Sequence, residues 1–309
     1  SFSTPNVIIA GGVGSFEPRK FSPKECEKFE NKSIFYSVKD KNIFKGKTVT
    51  IFGGGDSALD WAIELSKELE DNSIDCTVTS PPYNKCGVGG GLFRKIEYAA
   101  FDDTLPEDQY QDQQVELLNV LFDKTKPGGS FFYNHKVRYF KGNAISPWQW
   151  LTRTKWHIRE EIVWNRGSGP EISGYRFIQI DERVYWLCKG EKHPRLPRRS
   201  ANYGSVWKFG PEMSNPHPAP YPIKLPLRCI QGIMQEKGVV LDPYSGSGTT
   251  GLAAKLLGHD YIGFDLSDEY HDMARKRLDN PSKNDLKKFT EECGVEVSSD
   301  TDVFNLAGA

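Results

Sequence analysis

The chain has 309 residues, 38% hydrophobic and 26% charged, with a net charge of -1. That length supports one large or two small domains with a sizeable core, and no apolar run is long enough to cross a bilayer. The near-zero charge excludes a globally basic nucleic-acid binder, so any phosphate-binding surface must be local. The first residues, Ser1 to Asn6, lack the basic region of a secretory leader. The six cysteines, Cys26, Cys76, Cys86, Cys188, Cys229 and Cys293, form no CxxC pair and match no zinc spacing. They are expected to be reduced thiols of a cytoplasmic protein with no bound metal.

In chain order, Val7-Ile-Ile-Ala10 is an apolar run that enters the glycine turn 11–14. Lys47 to Phe52 is a second strand, followed by Gly53-Gly-Gly-Asp-Ser-Ala58 and a helical run from Leu59 to Glu70. Strand, glycine turn and helix together suit a pyrophosphate, because bare amides and a helix N-terminus face it. Ile74, Cys76 and Val78 alternate as in a strand. That strand runs into Thr79-Ser-Pro-Pro-Tyr-Asn84, where two prolines stop helix and sheet alike. Taken alone, Pro-Pro-Tyr is ordinary punctuation; an exposed Ser and aromatic beside it also suit a flat polar ring. Residues 84–91 are glycine-rich. Asp102, Asp103 and Pro106 open a helix to about Lys124, Lys126-Pro-Gly-Gly129 is a turn, and Ser130–Asn134 is a strand. A short helix is expected over 147–158 and strands over 161–165 and 183–188.

Residues 189–208 carry Lys189, Lys192, Arg195, Arg198, Arg199 and Lys208, with Tyr203 and Trp207 interleaved. Such a loop suits phosphate contact and base stacking, and a solvated loop fits it equally well. Residues 217–226 are too proline-rich for regular structure. A helix from Leu227 to about Glu236, a strand over 238–241, a glycine loop over 242–250, a helix over 251–257, a strand over 261–264 and a helix over 268–278 follow. The segment after Pro281 is polar, and 291–309 is expected to be loosely held.

The glycine loop and the acid closing the next strand form a nucleoside site. Gly246 and Gly248 let backbone approach a ligand, and Asp265, 19 residues after Gly246, is placed to accept from ribose hydroxyls. A Rossmann dinucleotide site competes with this reading, although Asp242-Pro-Tyr244 and Thr249-Thr250 are not its pattern.

Two resemblances bear on these motifs. Val7 to Arg19, Val38-Lys-Asp40 and Gly53 to Trp61 resemble thioredoxin-reductase-like flavoproteins, including ferredoxin–NADP reductases, over about residues 4–62. The FAD fingerprint and the rest of the NADP domain of that family are missing, so no redox activity is expected. From about 66 to 280 the chain resembles the β-class of amino-group DNA methyltransferases. Asp242-Pro-Tyr-Ser-Gly-Ser-Gly-Thr-Thr250 with Gly258 to Asp265 is similar to their S-adenosylmethionine motifs, Thr79 to Tyr83 to their catalytic motif, and His217 to Pro222 to the segment before the cofactor strand.

The resemblance implies a Rossmann-like α/β fold, a mostly parallel mixed sheet with helices on both faces. It implies a reductase-like arm over 1–46, a catalytic domain over 47–280 with target recognition near 189–208, and a polar tail over 281–309. It implies S-adenosylmethionine held by Asp242, Tyr244, Ser245, Gly246, Gly248, Thr249, Thr250, Asp265, Tyr221 and Pro222, with Asp56 as the only candidate for the adenine contact. Ser80, Pro81, Pro82 and Tyr83 are the implied catalytic residues: Ser80 and the Pro81 carbonyl accept from the exocyclic amine of a flipped base, and Tyr83 stacks on it. Double-stranded DNA is the implied substrate, contacted by Lys192, Arg195, Arg198 and Arg199, and a cognate restriction endonuclease is a candidate partner. Ser at the first motif position resembles N4-cytosine enzymes; its hydroxyl can accept from the amine and donate to a ring acceptor such as cytosine N3, but adenine N1 accepts too, so Ser does not exclude adenine and N6-adenine is the runner-up. An NADP-dependent flavoprotein and a DNA-binding module with a dead cofactor site are the rivals from other classes.

Overall fold

The structure, a computed structural model, describes residues 6–11, 34–35, 49–54, 57–84, 105–169, 176–191, 196–197, 200, 203–213, 215, 217, 220–265 and 267–294. Up to residue 61 it describes the backbone alone. Strands β1 (Asn6–Gly11), β2 (Ile34–Phe35) and β3 (Val49–Gly54) form a parallel sheet of their own, in the order β2-β1-β3. The boundary expected at 46/47 therefore falls inside this sheet, since β3 pairs with β1 along its whole length. Helix α1 (Ser57–Glu68) follows and packs on the main body, burying Ala62 and Ile63.

The main body continues with β4 (Ile74–Thr79), α2 (Glu107–Lys124), β5 (Thr125–His135), the hairpin β6 (Arg138–Phe140) and β7 (Asn143–Ile145), α3 (Trp148–Leu151), β8 (His157–Asn165), β9 (Asp181–Cys188) and β10 (Val206–Lys208). It closes with α4 (Lys224–Ile233), β11 (Val239–Asp242), α5 (Thr249–Leu256), β12 (Asp260–Gly263), α6 (Asp268–Asp279) and α7 (Lys283–Cys293). Seven strands make one sheet, in the order β10-β8-β9-β5-β4-β11-β12. Pairings are parallel except β5–β9 and β8–β9. The mostly parallel mixed sheet expected from the sequence is what forms.

Both faces of this sheet are covered, so its central strands are buried on both sides. One core joins Phe131, Tyr133, Tyr185 and Leu187 to Leu118, Leu121, Trp150 and Trp156. The other joins Val78, Phe132, Trp164 and Trp186 to Ile230, Leu252 and Phe289. Alternate residues of β5 and β9 thus feed opposite cores, as the pleat dictates.

Strand β4 lies between β5 and β11, parallel to both. The chain leaves β4 through α2 toward β5, and leaves β11 through α5 toward β12. The two crossovers run in opposite directions, which opens a crevice at the C-terminal ends of β4 and β11. Both glycine- or proline-bearing loops singled out in the sequence empty into it.

Several local expectations change. The turn at Lys126–Gly129 is a bulge inside β5: Ile74 pairs with Thr125 but Cys76 with Ser130, and Gly128 takes φ +81. The segment 217–226 is not irregular throughout, because α4 begins at Lys224 and its first turn tolerates Pro226. The hairpin β6–β7 and strand β10 are too short to leave a periodic signal. The region after Pro281 is not simply a polar tail. Ser282 caps α7, accepting from Asp285 N at 3.0 Å, and the helix buries Asp285, Phe289 and Cys293 on one face. Among the described residues no helix is long and apolar enough to cross a membrane, and no group of three His, Cys, Asp or Glu side chains could hold a metal ion.

Because α7 packs into the second core, Phe289→Ala is expected to cost about 3 kcal/mol of stability. A lowered urea midpoint at constant slope would show it; an unchanged midpoint would mean that α7 contributes nothing to the fold.

Candidate active site

The crevice is closed at its base by a bond between neighbouring strands. Thr79, the last residue of β4, donates from Oγ1 to Asp242 Oδ1 at 2.6 Å. Asp242 ends β11 and is fully buried. The same oxygen accepts from the Tyr244 amide at 3.0 Å, and Oδ2 accepts from the Tyr221 hydroxyl at 2.9 Å. Tyr221 also touches the Thr250 hydroxyl, which donates to the Val78 carbonyl at 3.2 Å. Burial pushes the Asp242 carboxyl above its ordinary 3.8, against the pull of these donors.

From Asp242 the chain turns through the glycine loop 245–248 into α5. Gly246 and Gly248 have φ of +50 and +73, the left-handed region that favours glycine. A Cβ on Gly246 would lie 3.0 Å from His217 Nε2, and one on Gly248 2.8 Å from the Ala274 methyl. Asp265, just past β12, accepts from Gly246 N at 2.8 Å and from Ser267 N at 2.9 Å. Two backbone amides therefore aim this carboxylate at the loop. Arg277 of α6 braces the start of α5, donating to Thr249 Oγ1 at 2.8 Å, and is paired with Asp285 of α7 at 2.8 Å. Burial opposes the charge on Asp285, but the Arg277 hydrogen bond and charge hold its carboxyl below the usual range.

Beyond Thr79 the chain enters Ser80-Pro-Pro-Tyr83. The Pro82 carbonyl is held inward by the Tyr110 hydroxyl at 2.8 Å. Tyr110 also lies 2.9 Å from Nε2 of His135, at the end of β5. Burial pushes the His135 imidazole well below its ordinary pKa, so it is neutral at physiological pH. Its ring lies 4.4 Å from that of Tyr83. The Tyr83 hydroxyl donates to Glu182 Oε2 at 2.9 Å and lies 2.8 Å from Ser80 Oγ. Asn134 Nδ2 reaches Ser80, Tyr83 and Glu182 at 3.2, 2.9 and 3.0 Å. The motif ends at Asn84, at φ +49, whose carbonyl accepts from Arg138 at 3.1 Å. Arg138 in turn forms a bidentate pair with Glu107.

Ser80, Pro81, Pro82 and Tyr83 thus share one sheet edge with Asp242, Tyr244, Ser245, Gly246, Gly248, Thr249, Thr250, Asp265, Tyr221 and Pro222. Asp56, Lys192, Arg195, Arg198 and Arg199 lie outside the described residues. Other members of the basic stretch have structural work. Lys189 donates to Thr125 O at 2.7 Å and to Asn72 Oδ1 at 2.9 Å, tying β9 to the turn before β4. Trp207 is 5% exposed and belongs to the core, and Tyr203 and Trp207 both flank the Arg228 guanidinium. These two aromatics are therefore committed to packing. Asn134, Glu182, Tyr110 and His135 were not legible as site residues, since each reaches the motif from another strand or helix.

A doubly wound sheet with an acid-ended glycine loop beside a Ser-Pro-Pro-Tyr turn defines a nucleoside-dependent group-transfer enzyme. The family model described as "DNA methylase", covering N6 and N4 methyltransferases, matches residues 74–276. The chain belongs to this family and is an S-adenosylmethionine-dependent DNA amino-methyltransferase. It is 30% identical over 241 residues to the type II methyltransferase M.HpaI of Haemophilus parainfluenzae, covering 71% of this chain and 72% of that one. The PvuII DNA methyltransferase, described as cytosine-N4-specific, shares the fold with a TM-score of 0.58 and 24% identity, over 82% of this chain and 92% of that one. A separate stretch of 73 residues is 78% identical to the ferredoxin–NADP reductase of Pelagibacter ubique. It accounts for 24% of this chain but spans only 22% of that reductase. The reductase-like fragment is therefore real, and it is a small part of its parent.

The site fits the methyl donor of the family: the glycine cradle admits close backbone approach, and Asp265 stands beside it with its carboxylate fixed by two amides. The burial of Asp242 gives a testable pH dependence. Its folded pKa lies above the unfolded 3.8, so its contribution to stability is fully present below 3.8 and is lost as pH rises through the folded value. Comparing urea midpoints of wild type and Asp242→Asn, the wild type should fare relatively better at pH 4 than at pH 7. The opposite slope would contradict a raised pKa.

Proposed function

We propose that this enzyme methylates N4 of cytosine in double-stranded DNA, acting on a base flipped out of the helix, in the cytoplasm and as part of a restriction–modification pair. The observation that carries this reading is the placement of Ser80-Pro81-Pro82-Tyr83 beside the 245–248 loop, joined through the Thr79–Asp242 bond. In this reading the 245–248 loop and Asp265 hold S-adenosylmethionine, which supplies an electrophilic methyl group on a sulfonium. Ser80 Oγ and the Pro81 carbonyl accept from the two hydrogens of the base amine. The Pro82 carbonyl is held instead by Tyr110. Two acceptors on its hydrogens favour a pyramidal nitrogen whose lone pair points at the methyl. The Tyr83 ring stacks on the base. No covalent enzyme intermediate is needed, so positioning supplies most of the rate.

The resemblance of a Ser-headed motif to that of N4-cytosine enzymes supports cytosine, as does the description of the PvuII enzyme as cytosine-N4-specific. Lys192, Arg195, Arg198 and Arg199 are the proposed phosphate contacts. The reductase-like arm takes no part in methyl transfer.

One experiment tests the reading. Purified protein is incubated with DNA and methyl-labelled S-adenosylmethionine, and the digested nucleosides are read by mass spectrometry. N4-methylcytosine is expected; N6-methyladenine alone would reject the base, and unlabelled DNA would reject the activity. In the same assay Ser80→Ala should slow transfer with donor binding kept. Asp265→Ala should weaken donor binding by about 1.5–3 kcal/mol for each charged hydrogen bond lost.

A further inference from the structure

The Ser80 hydroxyl lies in a fan of polar groups whose roles fix one another. Tyr83 Oη is 2.8 Å from Ser80 Oγ, 2.9 Å from Glu182 Oε2 and 2.9 Å from Asn134 Nδ2. Glu182, near the start of β9, is 8% exposed, and its other oxygen accepts from Arg166 at 3.1 Å. A carboxylate paired with a guanidinium only accepts. Asn134 Nδ2 also reaches Glu182 Oε2, at 3.0 Å. Turning that amide over would set two oxygens against each other, so its NH2 faces the cluster.

Tyr83 carries one proton. A charged acceptor makes the stronger bond, so that proton points at Glu182 rather than at Ser80. The 2.8 Å contact between Ser80 and Tyr83 then has one donor left, the Ser80 hydroxyl. Ser80 Oγ also lies 3.2 Å from Asn134 Nδ2, whose two hydrogens are shared among Ser80, Tyr83 and Glu182. Ser80 is only partly buried. With its proton and one lone pair turned inward, it presents a lone pair to the crevice.

We propose that Glu182 is a positioning residue for methyl transfer: acting through Tyr83 and Asn134, it turns the Ser80 proton inward and makes Ser80 Oγ an obligate acceptor for the amine of the flipped base. This deepens the proposed function and rests on its reading that Ser80 faces the base. Without Glu182 the Ser80 proton is free to point at the amine, hydrogen against hydrogen. The arrangement also changes what Ser80 offers. It accepts only, as an Asp at that position would, and the donation to cytosine N3 expected from the sequence is withdrawn. Selection between cytosine and adenine then falls to the size of the pocket.

A double-mutant cycle tests this, read as single-turnover methyl transfer at saturating donor and DNA. In Glu182→Gln, Arg166 retains the amide oxygen, so the NH2 faces Tyr83 and releases the Tyr83 proton toward Ser80. In Tyr83→Phe, Ser80 loses the acceptor for its proton. Each single change should slow transfer by about tenfold, and the double variant should be no slower than either alone. A merely structural role for Glu182 would make the two losses multiply, and that outcome, or a wild-type rate in Glu182→Gln, overturns the inference. Ser80→Ala in the same series separates the two levels: a wild-type rate there defeats the reading of Ser80 itself. A neutron structure of the deuterated wild type gives the second measurement and needs no variant to fold. A deuteron on the line from Ser80 to Tyr83, with that of Tyr83 aimed at Glu182, supports the inference; a Tyr83 deuteron aimed at Ser80 overturns it.

Discussion

The hydrogen bond from Thr79 to Asp242 joins the C-terminal ends of two parallel strands that arrive from opposite halves of the chain. Everything at the site depends on that juxtaposition. The Ser80–Tyr83 turn hangs from one strand and the glycine loop from the other, and the residues that bond are 163 positions apart in sequence. A buried carboxylate is costly unless its oxygens are satisfied. Asp242 meets that condition with donors from β4, from its own loop and from Tyr221. The same donors that satisfy it therefore fix the distance between the Ser80–Tyr83 turn and the glycine loop.

A second polar seam lies one strand further across the sheet. Asn134 on β5 and Glu182 on β9 sit side by side under the Ser80–Tyr83 turn, with Arg166 closing the far end. The Ser80–Tyr83 turn rests on a braced platform, with Tyr110 holding Pro82 and Arg138 holding Asn84 at its far end. Loop and platform together give the rigidity that a reaction governed by positioning requires.

What could be read in the sequence was what is local. The glycine loop, Asp265 and the Ser-Pro-Pro-Tyr turn announce themselves because their chemistry lies within a few consecutive residues or one strand–helix–strand interval. Glu182 and Asn134 do not, since they are 48 residues apart and meet only through the register of β5 against β9. The central strands were visible as apolar runs, while α7 was hidden by its charge: Asp285, Phe289 and Cys293 make a narrow buried stripe on a largely polar helix. The basic stretch misled in part because charge and aromaticity do not reveal direction. Lys189 turns inward to carbonyls and Trp207 into the core. The strand before α1 was also ambiguous, reading as either parent until its pairing with β1 placed it in the separate sheet.

The central claim is that the bond between β4 and β11 sets the geometry of transfer rather than merely adding stability. Thr79→Val keeps the shape of the side chain and removes the donor. Its single-turnover methyl-transfer rate, measured with donor and DNA both saturating, tests the claim most directly. The account predicts a rate lower by at least about tenfold, since a displacement on the order of 1 Å costs about a hundredfold, with donor affinity nearly unchanged. A wild-type rate at saturation would contradict it and leave the Thr79–Asp242 bond a matter of stability alone.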